Sequence, residues 1–365
     1  MKYIDEYRDP TVVQGLLACI RNRAQNLKEP VTFMEVCGSH TYAIGRFGMR
    51  NILPENIRLL SGPGCPVCVT SVHDVDCALF LAGQKNVIFT TFGDMLRVPG
   101  TDGNSLEKVR AKGADVRVVS SVMDCLLLAK DNPAKEIIFM GIGFETTSPT
   151  IAAMVKTSRQ KGIDNFSVFC VHKTIPPAMI ALMANPNLKV DGFICPGHVS
   201  VIIGADAYSF IPERDRAAVV VGFEPIDILE GIYMLLGQCA AGDKKVEIQY
   251  QRVVTRQGNK KALEILYDVF ETAQAGWRGL GELPGSGLKF RQPYESFDTT
   301  KRFDIPEIKS VEIKGCSCGE ILQGIKTPHE CPLFNKICSP LNPLGPCMVS
   351  SEGTCAAYYK YHLTA

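Results

Sequence analysis

Cysteine is the residue type in this chain whose placement most clearly indicates chemistry. The sequence holds 15 cysteines, and six of them lie close together near the C-terminus: Cys316, Cys318, Cys331, Cys338, Cys347 and Cys355. In a reducing compartment, grouped cysteines are typical of metal or redox sites rather than of structural disulfides. The spacings are wide and uneven, whereas zinc sites usually show paired CxxC knuckles. They therefore favour an iron–sulfur cluster, with zinc as the alternative.

A second thiol site lies in the stretch SGPGCPVCVT, which contains Cys65 and Cys68. A metal knuckle would need a second pair of this kind, and the first 300 residues contain none. A redox dithiol and a nucleophile with a resolving partner both remain, because neighbouring thiols lower each other's pKa and the thiolate is the reactive form. The flanking glycines leave room for the close approach of a partner backbone.

Polar groups also follow many of the apolar runs along the chain. EVCGSHTY places Cys37 at the end of such a run, with His40 three residues later. Four further candidates occupy similar positions: Asp94, Glu145, His198 and Glu224. Taken singly, each is explained as a helix cap or turn residue. Taken together, they predict one site, because ligands bind at the carboxyl ends of parallel strands.

The elements that would position these residues follow a βα rhythm. Eight short β-rich runs recur, separated by turns and helix-like stretches: VTFMEV, IRLLSG, NVIFTTFG, DVRVVSS, EIIFMGIGF, FSVFCVH, GFICPG and AAVVVGFEP. The pattern predicts an α/β fold with two open, mostly parallel sheets, although a closed eight-stranded barrel would fit the count. We predict one α/β domain over 28–118 with Cys37 and the CPVC dithiol, and a second over 119–225. A small cysteine-rich iron–sulfur domain would follow over 226–365, with helix 1–27 packing on it.

Composition narrows the class of partner. The net charge is +1, without long basic or acidic runs, which argues against nucleic acid or an anionic membrane as the main partner. The N-terminus has no signal-peptide pattern, and no apolar run approaches the roughly 18 residues that span a bilayer. A cytoplasmic protein is expected. The sequence has no phosphate-binding loop, only a poor match to a dinucleotide fingerprint, and no convincing Ser–His–Asp arrangement.

The chain resembles the HypD family of hydrogenase maturation factors from end to end. The stretches that carry the resemblance are MEVCGSHT (34–41), GPGCPVCV (62–69), TFGDMLRVPG (91–100), GFETT (143–147), PGHVS (196–200), GFEP (222–225), WRGLG (277–281), CGEILQG (318–324), ECPLF (330–334) and MVSSEGTC (348–355). One departure is Tyr42, where many members have a second histidine after CGxHT, so no role is carried over for that histidine.

The resemblance implies a cytoplasmic assembly protein for [NiFe]-hydrogenase. With HypC it would hold one iron while cyanide and CO are attached, forming an Fe(CN)2CO unit, and HypE, or HypE together with HypF, would provide the cyanide. Cys37 would bind this transient iron beside His40, and Cys65 and Cys68 would be a redox dithiol resembling that of ferredoxin:thioredoxin reductase. Glu352, in MVSSEGTC, joins the catalytic candidates.

The resemblance also implies a [4Fe-4S] cluster and its ligands, Cys318, Cys331, Cys338 and Cys355. Cys316 and Cys347 fall outside that set and are expected to be non-ligands. A buried cluster and an exposed dithiol would then relay electrons to the iron site. We expect the dithiol to lie within roughly 15 Å of the cluster. Two alternatives remain: a cluster-dependent thiol–disulfide reductase, and a zinc-held interaction module at the C-terminus.

Overall fold

The structure is a computed structural model that describes residues 4–361. Every one of the eight apolar runs forms a parallel strand, and a ninth short strand and a hairpin follow them. The strands are β1 (Val31–Glu35), β2 (Ile57–Ser61), β3 (Val87–Thr91), β4 (Val116–Val118), β5 (Glu136–Gly141), β6 (Phe166–Cys170), β7 (Gly192–Pro196), β8 (Ala217–Val221), β9 (Val246–Ile248), β10 (Phe270–Trp277) and β11 (Gly281–Phe290).

Helices connect the parallel strands, and several begin at a residue that caps them. Ser71, Ser105 and Ser121, for example, each accept a backbone N–H of the helix that follows. The α-helices are α1 (Pro10–Gln25), α2 (Gly38–Arg46), α3 (Met49–Ile52), α4 (Pro66–Val69), α5 (Val72–Ala82), α6 (Leu106–Ala111), α7 (Val122–Asp131), α8 (Ser148–Gln160), α9 (Ile175–Met183), α10 (Gly197–Ile203), α11 (Pro225–Ala241), α12 (Lys260–Val269), α13 (Thr299–Arg302), α14 (Cys318–Leu322) and α15 (Thr354–Tyr361).

The parallel strands form two open sheets, so the predicted fold class is confirmed. The first, here called sheet I, has the order β2-β1-β7-β8-β9, and sheet II has the order β4-β3-β5-β6. All neighbouring strands within both sheets run parallel. The central strands β3 and β8 are buried at every position, as expected when helices cover both faces of a sheet.

The strand pairing joins parts of the chain on both sides of the boundary predicted between residues 118 and 119. Strands β1 and β2 pair with β7 rather than with β3, so sheet I combines residues 31–61 with 192–248. Sheet II, formed by residues 87–170, is inserted between these two pieces. Sequence periodicity could not show this, because it indicates where strands lie and not which strands pair.

The remaining segments cover the two sheets. Helix α1 packs against α11, and both lie on one face of sheet I. The antiparallel hairpin of β10 and β11 packs beside sheet II, where Lys173 bridges Gly287. The cysteine-rich segment contains only short helices and returns over α2 and α4 through α15 and the turn Pro346–Met348. Among residues 4–361, no helix is both long and apolar enough to cross a membrane.

Candidate functional site

The thiol of Cys347 is the point at which two predicted sites meet. Cys347 is fully buried, and its thiol accepts hydrogen bonds from the thiols of Cys318 and Cys68. While Cys318 and Cys68 are protonated thiols, these two donors hold the pKa of Cys347 below its ordinary value. The thiol of Cys68 also lies 4.0 Å from the carbonyl oxygen of Pro346. A continuous line of sulfur atoms therefore runs from the C-terminal segment to the CPVC dithiol.

Several of the C-terminal cysteines gather around Cys318. Its thiol hydrogen-bonds those of Cys316 and Cys355, and Cys338 lies near enough to feel the charge of both Cys316 and Cys318. A Cβ on Gly345 would lie only 2.6 Å from the sulfur of Cys318 and 2.7 Å from that of Cys316. Glycine is needed at this position because the two sulfur atoms occupy the space that a side chain would fill.

This donor set fits the chemistry of an iron–sulfur cluster. The four cysteines expected to bind it are all buried: Cys318, Cys331, Cys338 and Cys355, with 5%, 7%, 6% and 5% exposure respectively. Such clusters are held by four thiolates in a shielded environment. Within residues 4–361, no three His, Cys, Asp or Glu side chains are arranged to hold a metal ion, and the thiols contact one another instead. The choice of ligands stays a prediction.

The CPVC dithiol is buried, and the expected exposed dithiol is therefore wrong. Cys65 is 4% exposed and Cys68 is 0% exposed. Cys65 caps the short helix α4, and its sulfur accepts the backbone N–H of Cys68 at 3.3 Å. The cover comes from the turn Pro346–Met348, which packs directly on α4. Sequence could not show this cover, because the covering turn lies about 280 residues away in the chain.

The glycine-rich turn before the dithiol lies against the backbone of Cys37. The carbonyl oxygen of Gly64 accepts the N–H of Gly38 at 2.9 Å, and Gly62 donates its N–H to the carbonyl oxygen of Glu35 at 2.8 Å. A Cβ on Gly64 would lie 2.1 Å from the backbone nitrogen of Cys37. The glycines thus allow the ends of β1 and β2 to touch, which brings the dithiol beside the predicted iron-binding residue.

Two carboxyl groups flank Cys37, and the sequence had singled out only one of them. Glu35, at the end of β1, is fully buried and accepts the backbone N–H of Cys37 at 3.2 Å. Glu352 accepts the hydroxyl of Ser39 at 2.7 Å. Burial first, and then the nearby Glu352 and Glu35, raise the pKa of Cys37 to about 12. The free thiol is therefore protonated, and a cation is what would make it a ligand.

The imidazole rings of His40 and His198 lie on a common aromatic stack, whereas the backbone of His40, with that of Ser39, hydrogen-bonds the thiol of Cys37. The ring of Phe223 stacks with His40 at 4.6 Å and with His198 at 3.9 Å between centroids. The Nε2 of His40 lies 2.8 Å from the carbonyl oxygen of Gly222. Burial lowers the pKa of His40 to about 4, so the ring is neutral with its proton on Nε2. Its buried Nδ1 has no hydrogen-bond partner among residues 4–361.

Glu145 belongs to sheet II, yet it approaches the same region. One carboxyl oxygen accepts the backbone N–H of Ile175 at 3.0 Å, and the other has no partner in the described part of the chain. The buried phenol of Tyr208 is close enough to feel the charges of both Glu145 and Cys37. Desolvation raises the pKa of Glu145 to about 7. Tyr208 therefore connects the two sheets electrostatically.

Stability should fall with rising pH because of Glu145. A folded-state pKa of about 7 against 4.5 unfolded means that the native state binds this proton more tightly. The contribution is complete below pH 4.5 and is lost as the pH passes 7, by on the order of 3 kcal/mol. Urea unfolding of Glu145→Gln should lack this component between pH 4.5 and 7.5, whereas exposed Glu264→Gln should keep it. Identical pH profiles for wild type and Glu145→Gln would contradict the assignment.

The last two candidates from the sequence are Glu224 and Asp94. Glu224 shares a capping box with Asp227 at the start of α11, and its carboxylate pairs with Arg8. It therefore plays the capping role that turn chemistry predicts. Asp94 is exposed in the short helix Gly93–Arg97, and the structure gives it no contact with Cys37.

Three functional candidates escaped sequence reasoning. Cys347 was set aside as a non-ligand, although its position between Cys318 and Cys68 is central. Glu35 stands in an apolar strand directly before the cysteine, and a carboxylate inside a buried strand is a signal that could have found it. Tyr208 gave no signal, because its role depends on the packing of two sheets that are separate in sequence.

Most of the reactive side chains that meet at these sheet edges are thiols. A strand-end thiol, a buried dithiol and a cysteine-rich segment come into contact, with neutral histidines and carboxyl groups around them. The two-sheet frame and these contacts define an α/β protein in which thiols from distant parts of the chain lie together.

Comparison with known proteins places this chain in a family. The family model described as "HypD: Hydrogenase formation hypA family" matches residues 11–362. Hydrogenase maturation factor HypD2 of Bradyrhizobium diazoefficiens is 46% identical over 369 residues, covering 99% of this chain and 97% of that protein. Hydrogenase maturation factor HypD of Escherichia coli (strain K12) is 45% identical, covering 99% and 98%. The chain belongs to the HypD family of hydrogenase-formation proteins, and the resemblance seen in its motifs is confirmed.

Proposed function

We propose that this chain assembles the Fe(CN)2CO unit of [NiFe]-hydrogenase, together with HypC and with HypE, or HypE and HypF, as cyanide source. The unit is cargo, held at Cys37 during assembly. Family membership supports the broad role in hydrogenase maturation. A cytoplasmic location agrees with the free thiols of all 15 cysteines.

The surroundings of Cys37 support the role of iron ligand. The thiol is protonated when free, and two carboxyl groups next to it favour a cation over an anion. Low-spin iron with cyanide and CO is a soft centre that suits a thiolate. Cyanide ligands need N–H donors, and the backbone N–H groups of Ser39 and His40, at the start of α2, hydrogen-bond the thiol of Cys37.

The contact of Cys347 with both Cys68 and Cys318 is the observation that carries the redox part of the proposal. A [4Fe-4S] cluster bound by Cys318, Cys331, Cys338 and Cys355 would supply electrons one at a time. Cys347 would act on an oxidised Cys65–Cys68 pair. Cys347 gives up its proton and its sulfur attacks that of Cys68: a Cys68–Cys347 bond forms, the Cys65–Cys68 bond breaks, and Cys65 leaves as a thiolate that takes a proton. Two electrons, supplied one at a time, and two protons would then convert the Cys68–Cys347 bond to two thiols.

Replacing Cys347 with alanine tests this relay. Reduced methyl viologen is supplied to holoprotein whose CPVC pair has been oxidised. At each time point the protein is unfolded in urea containing an alkylating reagent, which traps the thiols of Cys65 and Cys68 that are buried in the folded protein. We expect Cys347→Ala to slow the appearance of the Cys65 and Cys68 thiols at least tenfold. In the described chain, Cys347 is the only thiol that contacts both Cys68 and Cys318, and this variant removes it. Cys125→Ala, which removes another buried thiol, should react at the wild-type rate.

Equal rates in wild type and Cys347→Ala would contradict the relay. The alternative, a thiol–disulfide reductase acting on external substrates, receives no specific support from the contacts. The buried dithiol offers an outside disulfide little access, with Cys65 at 4% and Cys68 at 0% exposure.

A further inference from the structure

The loop formed by residues 335–344, here called the Cys338 loop, exposes more apolar surface than its surroundings. Leu341 is 95% exposed and Ile337 is 58% exposed, and Leu341 has the highest value among the large hydrophobic residues reported for the described chain. Contiguous exposed apolar side chains mark interaction sites. Ile337 and Leu341 lie on either side of Cys338 in the chain, and Cys338 is one of the predicted cluster ligands.

Several hydrogen bonds hold this loop in place. The side chain of Asn342 donates to the carbonyl oxygen of Ile337 at 2.9 Å, and Arg97 donates to the carbonyl oxygen of Pro340. The N–H of Leu344 lies 3.4 Å from the sulfur of Cys338. The two apolar side chains are therefore presented by a fixed loop, which lowers the entropy cost of binding a partner.

A cavity of about 480 Å³ continues the apolar surface beside this loop. Pro340, Met348 and Tyr42 contribute to its walls, and Lys360 is the one charged residue among those that line it. Met348 follows Cys347 directly in the chain, so this wall of the cavity lies one residue from the thiol line. A partner seated here would cover both the Cys338 loop and Met348.

The rim of this surface is cationic. Lys336 is exposed within the loop, Arg97 is bound to it, and Lys360 lies 5.9 Å above the ring of Tyr42. Arg46 lies within hydrogen-bonding reach of the same phenol. These four cationic side chains lie around the loop and the cavity. They complement a partner with an acidic face.

We propose that this surface, the Cys338 loop with its adjoining cavity and cationic rim, docks a small one-electron carrier protein with an acidic face. The inference rests on the proposed thiol relay. Converting an oxidised Cys65–Cys68 pair to two thiols consumes two electrons and two protons. Two carriers each lose one electron in successive encounters, and solvent provides the protons. Transient redox encounters of this kind bury less than about 1,200 Å², which a loop and one cavity can provide.

Burial of the dithiol favours such a carrier over a small soluble dithiol. A dithiol reagent must reach the sulfur atom that it attacks, and Cys68 has no exposed surface. An electron carrier needs only contact with the protein surface near the thiols. The position of the loop, on top of Cys338 and next to Cys347, provides that contact.

The test measures binding of a purified acidic [2Fe–2S] ferredoxin to the holoprotein by calorimetry. We expect Leu341→Glu and Ile337→Glu each to weaken binding at least tenfold, because each places a like charge at the centre of the interface. Wild-type binding should weaken with rising salt. Leu127→Glu is the matched control, because Leu127 is 56% exposed on α7, outside the proposed surface. This variant should bind ferredoxin as tightly as wild type does.

A second measurement separates this inference from the proposed function. Reduced methyl viologen should deliver electrons to the CPVC pair equally well in wild type and Leu341→Glu, since the internal thiols are unchanged. Wild-type ferredoxin affinity in Leu341→Glu would overturn the docking surface and leave the relay standing. The docking proposal would also be overturned if this chain forms a dimer that Leu341→Glu dissociates, because the surface would then bind a second copy of the chain and not a carrier. Failure of viologen to reduce the pair in wild type would remove both proposals.

Discussion

Iron–cyanide infrared bands should disappear when Cys37 is replaced by alanine. Holoprotein purified with HypC should show these bands, whereas Cys37→Ala should show none above background, because the thiolate ligand is lost. The variant should fold normally, since removing one sulfur at the rim of sheet I leaves only a small gap. Its cluster content, measured as iron and labile sulfide per chain, should equal that of wild type.

Cys195→Ala is the matched control for this experiment. Cys195 lies on β7 in the same sheet and is also buried, and only desolvation affects its thiol. Its loss should leave the bands in place. Bands that persist in Cys37→Ala would show that the iron is held elsewhere, and the assignment of Cys37 would then be wrong. Simultaneous loss of bands and cluster would indicate general unfolding, which circular dichroism would reveal.

A single methyl group on Gly64 should damage both the fold and the iron site. Its carbon would lie 2.1 Å from the backbone nitrogen and 2.4 Å from the Cα of Cys37. These are main-chain atoms at the end of a buried strand, so they cannot rotate aside as a side chain would. Overpacking of a core typically costs 1–3 kcal/mol. We expect Gly64→Ala to reach the upper part of this range, about 3 kcal/mol.

Displacement of Cys37 should also lower iron loading in Gly64→Ala, even under conditions where the protein stays folded. Gly15→Ala provides the control, because a Cβ there meets nothing within 4 Å and lies in helix α1. Alanine is the better helix former by about 1 kcal/mol, so this variant should be as stable as wild type or more so. Urea unfolding together with the infrared bands would measure both effects. Wild-type stability in Gly64→Ala would contradict the close contact.

Much of the fold could be predicted because parallel strands have a strong local signature. All eight apolar runs became strands of open parallel sheets, and the polar groups after them lie at the carboxyl ends. The pairing of β1 with β7 could not be predicted, because single-sequence periodicity carries no information about strand order. Tyr208 and Glu145 come near each other only through that tertiary arrangement.

The site shows the same division between local and distant information. Cys37, Cys65 and Cys68 were found because their motifs are local and chemically distinctive. The burial of the dithiol and the central place of Cys347 depend on a turn that returns from the C-terminal segment. No local pattern at Cys347 distinguishes it from its neighbours, so only its contacts with Cys318 and Cys68 reveal it.

The divided sheet I has a consequence for how the protein forms during synthesis. Strands β1 and β2 leave the ribosome early, but their neighbour β7 follows only after all of sheet II has been made. Sheet II is continuous in the chain and can fold first, as domains generally do. The backbone oxygens of Val221 and Gly222 that hold His40 arrive later still. Cys37 therefore gains its finished surroundings only after sheet II and β8 have been made, and a shorter nascent chain lacks the complete site proposed to bind iron.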